Sequence, residues 1–105
     1  MLFVTHYKLS NDVAIQEMLE AGETLRESGM WPPEGIDIIR WDTTVNGWGI
    51  TVAEADDYES IKRSFVMWEA LVPGMVEETK TAPASPVDES MALTRALLEE
   101  LPTQE

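Results

Sequence analysis

Gly47–Pro83, GWGITVAEADDYESIKRSFVMWEALVPGMVEETKTAP, is the stretch on which the fold turns. Its first part alternates, with Trp48, Ile50, Val52 and Glu54 on one face of a strand and Gly47, Gly49, Thr51 and Ala53 on the other. Bulk is concentrated on one side, and the glycines leave room for a close approach. Asp56-Asp57-Tyr58-Glu59 then reads as a capping box, Asp56 covering a free backbone amide and Glu59 reaching back, with the acids at the positive end of the helix dipole. Tyr58, Ile61, Phe65, Trp68 and Val72 follow at spacings of three, four, three and four, the period of an amphipathic helix. Pro73-Gly74 ends it, and Met75–Thr81 alternates as a charged strand suited to a sheet edge. The stretch is strand, helix and strand.

Upstream, the same order recurs. Leu2–Leu9 is β-favouring, with Leu2, Val4, His6 and Lys8 on one face and Phe3, Thr5, Tyr7 and Leu9 on the other. Ser10, Asn11 and Asp12 offer caps for a helix over about Asp12–Glu27, whose stripe runs Ile15, Met18, Leu19, Gly22 and Leu25 and whose outer face is mostly glutamate. Ser28-Gly29 closes it, and Trp31-Pro32-Pro33-Glu34-Gly35 forms a loop. Ile36–Thr44 alternates Ile36, Ile38, Arg40 and Asp42 against Asp37, Ile39, Trp41 and Thr43, and the Asn46-Gly47 pair turns it into a hairpin with the next strand. Downstream, Ala82–Pro86 is a small-residue linker. Ser85 and Asp88 suggest a second capping box, with Pro86 at the first turn, for a helix running to about Glu100. Its Val87, Met91, Leu93, Leu97, Leu98 and Leu101 form a broad apolar stripe that must cover something. Pro102–Glu105 is expected to fray.

Composition bounds the rest. At 105 residues the chain fits one domain of modest stability, to which dimerisation would add burial. Twenty acidic against seven basic residues give a net charge of −13, which repels nucleic acid and anionic membranes. No apolar run approaches the ~20 residues that span a bilayer, and the N-terminus lacks the pattern of an export signal, so the expected location is the cytoplasm. Cysteine is absent, which removes disulfides, thiolate catalysis and thiolate metal sites.

The βαββαβ order gives an α+β, ferredoxin-like domain over residues 1–81, a four-stranded antiparallel sheet with both helices on one face, followed by a linker and extra C-terminal helix over 82–105 that packs on the same domain or on a partner subunit. The other sheet face carries large aliphatic residues and needs a cover. A homodimer through that open face would supply one and would enclose a cavity. This order, the Trp48–Glu54 strand running into EADD, and the stripe ending in Trp68-Glu69-Ala70-Leu71 resemble the dimeric α+β-barrel superfamily and, within it, small bacterial domains of unknown function. The resemblance covers Met1–Lys80. It implies a homodimer and leaves activity open, because the superfamily includes cofactor-independent monooxygenases, lactone isomerases, haem-handling enzymes and stress-response proteins.

The candidate site residues are few. His6, the single histidine, reads as a general base facing a dimer cavity or as a hydrogen-bonded interior residue. Glu54, at the end of an apolar strand face, reads as an acid or base or as a strand-end carboxylate in water. Tyr7, Trp41, Trp48 and Arg40 are the candidate ligand contacts: a hydroxyl donor, two stacking surfaces beside Trp31, and a cation for a carboxylate that pairs equally well with Asp42. No cofactor and no metal is expected, since a single histidine has no carboxylate partner at ligand spacing. The leading expectation is a module binding a small apolar or aromatic molecule in a sheet-face cavity lined by His6, Tyr7, Trp41, Trp48 and Glu54. The alternatives are a cofactor-independent monooxygenase or isomerase using His6 or Glu54, and a structural dimer with no ligand.

Overall fold

The computed structural model describes residues 1–102. Strands β1 (Leu2–Leu9), β2 (Ile36–Thr43), β3 (Trp48–Ala55) and β4 (Val76–Pro83) alternate with helices α1 (Ile15–Ser28), α2 (Tyr58–Leu71) and α3 (Val87–Glu100). The sheet runs β2-β3-β1-β4 with every pairing antiparallel, which is the ferredoxin-like arrangement. Helices α1 and α2 cover one face, and β4, with its Glu77, Glu78 and Lys80, lies at an edge. The expected fraying at Pro102–Glu105 falls outside the described residues beyond Pro102.

Local chemistry fixes most of the boundaries. The β2–β3 hairpin closes over Val45-Asn46-Gly47, where Gly47 has φ 83° and the Thr44 N–H donates to Trp48 O at 2.8 Å. Helix α1 begins later than Asp12 because Ser10 Oγ accepts the Asp12 N–H in a turn; Ala14 stands at the cap without a side-chain bond, and Gly29 at φ 72° ends the helix. For α2 the cap is Asp57 and not Asp56: Asp57 Oδ1 accepts the Ser60 N–H at 3.0 Å. The turn after α2 is held by Glu69, whose two carboxylate oxygens accept the Gly74 and Val76 N–H groups at 3.0 and 2.8 Å. The capping box expected at α3 does not form, because the Ser85 and Ser90 hydroxyls bond each other at 2.8 Å.

One irregularity reverses part of the expected pattern. A bulge between Ile38 and Arg40 adds a residue to β2. As a result Ile36, Ile38, Trp41 and Thr43 share the helix-facing side, while Asp37, Arg40 and Asp42 share the open side. Simple alternation had put Ile36 and Ile38 together with Arg40 and Asp42; the extra residue flips every side chain beyond it.

The buried interior falls into two clusters. Phe3, Ala53, Ala55 and Ile61 pack at one end with Ile36 and Phe65, and Ala21, Val72 and Met75 pack at the other with Leu9, Met18 and Trp68. Helix α3 has no buried residue, and the described chain extends over 61 × 29 × 18 Å.

Candidate functional site

On its helix-facing side the central strand β3 carries only small residues, which leave a gap to α2. Thr51 and Ala53 on β3 line that gap together with Ser64 on α2, while the space over Gly49 is taken by the Tyr7 phenol. A close-packed interior would need large side chains there. Instead a cavity of about 400 Å³ lies between the sheet and the helices, touching both core clusters and ringed by Leu9, Met18, Ile36, Ile38, Ile61, Phe65 and Met75. Its volume falls within the range of small-molecule sites.

Aromatic side chains form one wall. The rings of Trp31, from the loop before β2, Trp41 on β2 and Trp68 on α2 meet in a triangle: 5.2 Å between Trp31 and Trp41, 5.9 Å between Trp31 and Trp68, and 5.8 Å between Trp41 and Trp68. The tilted and edge-on angles are those that aromatic pairs prefer. Gly22 on α1 makes space for Trp68, since a Cβ there would come within 3.2 Å of the indole ring. Gly49 does the same for Tyr7. A Cβ at Gly49 would collide with the Tyr7 phenol and with the Asp42 carbonyl, so the glycine is required by what lies over it.

The polar atoms of the site are sparse and mostly committed. Tyr7 Oη accepts the Trp41 Nε1–H at 2.8 Å and donates to Asp42 O at 3.0 Å, which leaves the phenol one acceptor position. Ser64 donates to Ile61 O at 2.7 Å. Trp31 Nε1 is buried without a partner among the described residues. The lining residues carry no carboxylate, ammonium, guanidinium or imidazole. Such a wall suits a neutral, flat, mostly apolar molecule and offers no side chain to move a proton near neutral pH. Trp41 remains 46% exposed and so stands at the rim of the cavity.

The expected site residues divide between the two sides of the sheet. Tyr7 and Trp41 line this cavity. His6, Trp48 and Glu54 lie on the open side, because Lys8 pairs with Trp48, His6 with Ile50 and Leu2 with Glu54, and paired residues point the same way. There His6 stacks on Trp48, ring centroids 5.8 Å apart at 30°. Glu54 pairs with the Met1 amino group at 2.5 Å, at a half-exposed position. Arg40, also on the open side, bonds Asp42 Oδ2 at 2.5 Å; that hydrogen bond and the carboxylate charge raise its pKa above the ordinary value. The five residues expected to line one sheet-face cavity therefore do not share a face, since neighbours such as His6 and Tyr7 alternate along β1. Phe65 and Trp68 on the stripe of α2 and Met18 on that of α1 pack against the core clusters and also wall the cavity. The small residues opposite them were the signal in the sequence, because a run of glycine, threonine and alanine under a helix cannot fill the layer.

Fold and cavity together define a ferredoxin-like α+β domain with an apolar, tryptophan-walled interior site. Residues 1–98 match the family described as a domain of unknown function (DUF3303), and the chain belongs to that family. Among solved structures it is similar to one described as the crystal structure of an antibiotic biosynthesis monooxygenase, with 19% identity over 82% of this chain and 100% of that one, at a TM-score of 0.48. No curated protein matches the chain. No helix of the described residues is long and apolar enough to cross a membrane.

Proposed function

We propose that this protein binds a small, uncharged molecule with an aromatic ring in the cavity between its sheet and helices. The observation that carries the reading is the 400 Å³ cavity walled by Trp31, Trp41 and Trp68 and lined without a single charged group. Tyr7 supplies the polar mark: its free acceptor position selects a ligand hydroxyl or N–H over a plain hydrocarbon. The site lies on the helix side of the sheet and not between two paired sheets. The protein works as a homodimer through the open sheet face, whose Leu2, Val4, Ile50 and Val52 form an apolar field that one copy leaves partly bare.

The test uses 1-naphthol as probe and the indole N–H resonances as reporters. Shifts at Trp31, Trp41 and Trp68 that saturate, with Trp48 unmoved, support binding in the cavity. Shifts confined to Trp48 would move the site to the open face, and no saturable shift would reject a ligand of this class.

The alternative, a cofactor-independent monooxygenase or isomerase, is favoured by the stacking of His6 on Trp48. It puts the chemistry between the paired sheets, with His6 or Glu54 as the proton acceptor. His6→Ala would then abolish turnover while leaving the melting temperature nearly unchanged.

A further inference from the structure

Helix α3 carries Met91, Leu93, Leu97 and Leu98 at 49–64% exposure and buries no residue at all. An amphipathic helix whose stripe meets only water gains nothing from tertiary packing, which is what ordinarily holds a helix of 14 residues together. The radius of gyration is 17.7 Å, against about 13 Å for a compact domain of this length. The helix projects from the body as an arm.

The linker keeps it from turning back over its own sheet. The Ala84 N–H still donates to Leu2 O at 2.8 Å, so the β1–β4 ladder holds the chain to that point. Only Ser85 and Pro86 remain before α3 begins. Pro86 is fixed at φ −55° and extended at ψ 143°, and a residue that precedes proline is kept out of the helical region. A chain reversal takes about four residues in turn conformations, and this segment has no room for one.

We infer that α3 is an exchange arm whose apolar stripe packs on a second copy of this chain, continuous with the open sheet face, each copy giving an arm and receiving one. The inference rests on the open-face homodimer proposed above. Sizes favour it. The open face of four eight-residue strands projects about 500 Å², and the arm adds about 200 Å². Together they approach the ~800 Å² that each partner contributes to a stable interface, which the sheet face alone does not reach. A two-fold axis makes the exchange reciprocal, so both arms and both faces are covered and the assembly closes at two copies.

The full-length chain, a Met91→Glu/Leu98→Glu variant and an Ile50→Glu variant are compared by sedimentation equilibrium. Met91 and Leu98 are about half or more exposed, and far-ultraviolet circular dichroism and the melting curve check that the arm variant leaves the body folded as in the parent. The expected result is a dimer whose dissociation constant rises about tenfold or more in both variants. A parent that stays monomeric at micromolar concentration overturns the dimer and the arm together. A dimer weakened by Ile50→Glu but untouched by the arm variant overturns the exchange and leaves the open-face dimer standing. A dimer weakened only by the arm variant rejects the open-face homodimer and, with it, an exchange continuous with that face.

Discussion

Tyr7 Oη accepts the indole N–H of Trp41 and donates its own proton to the carbonyl of Asp42, so that one phenol ties β1 to β2 across the intervening strand β3. The span is open to it because Gly49, the residue between them, has no side chain. Tyr7 is 4% exposed, so its side of both bonds is shielded from water, while Trp41 keeps an exposed edge at the rim.

Removing that hydroxyl leaves the Trp41 N–H without its acceptor. Tyr7→Phe is expected to lose about 1–3 kcal/mol, read as a fall in melting temperature of about 4–8 °C per kcal/mol. It should also weaken 1-naphthol binding. A variant that melts with the parent and binds equally well would remove Tyr7 from the site.

Gly49→Ala is the harsher test of the same relationship. The added methyl would fall on both the Tyr7 phenol and a backbone carbonyl, and a carbonyl in a ladder cannot swing aside as a flexible side chain can. The expected loss exceeds that of Tyr7→Phe. In the double variant Gly49→Ala/Tyr7→Phe the two losses should fail to add, since both act on one contact. Simple additivity in chemical denaturation would sink the account.

Ile61, at 2% exposure, bridges one core cluster and the cavity wall. Ile61→Ala should lose about 2–5 kcal/mol. Because the deleted atoms border the ligand space, the variant should also accept a larger ring system than the parent, checked by comparing naphthol with a three-ring analogue. Loss of stability without a change in ligand preference would separate the core from the cavity.

The start of α2 is held by one carboxylate of an adjacent pair. Asp57→Ala should cost about 1 kcal/mol through the lost Ser60 bond, whereas Asp56→Ala, which removes no such bond, should stay within about 0.5 kcal/mol. Urea titrations of the two variants decide between them, and equal losses would mean that the cap is shared.

Each copy carries a net charge of −13, so two copies repel. Dimerisation should tighten as salt is raised through about 0.1 M, where the screening length falls to ~10 Å. Sedimentation at several salt concentrations measures this. Weakening by salt would mean that ion pairs, and not apolar faces, hold the copies together.

The element order was legible in the sequence because hydrophobic period and breaker residues are local signals. Tyr58 to Val72 repeats at helical spacing, Gly29 and Gly47 sit where positive φ is needed, and the strand–helix–strand unit occurs twice. The caps were legible only to within a residue or so. Whether Asp56 or Asp57 takes the amide, or whether Ser85 bonds Ser90 before it can cap α3, depends on backbone angles that composition does not encode.

By itself the sequence determined the βαββαβ chain, the charged edge strand, the small-residue patch on β3 and the surplus apolar helix at the end. Tertiary structure alone decided where the tryptophan-walled cavity lies. The bulge between Ile38 and Arg40 turns Trp41 toward the helices, bringing it to Tyr7 and Trp68 and leaving Arg40 and Asp42 on the other side with His6, Trp48 and Glu54. A single inserted residue reverses the faces of all that follow, and nothing in the local pattern of β2 records which residue is the extra one.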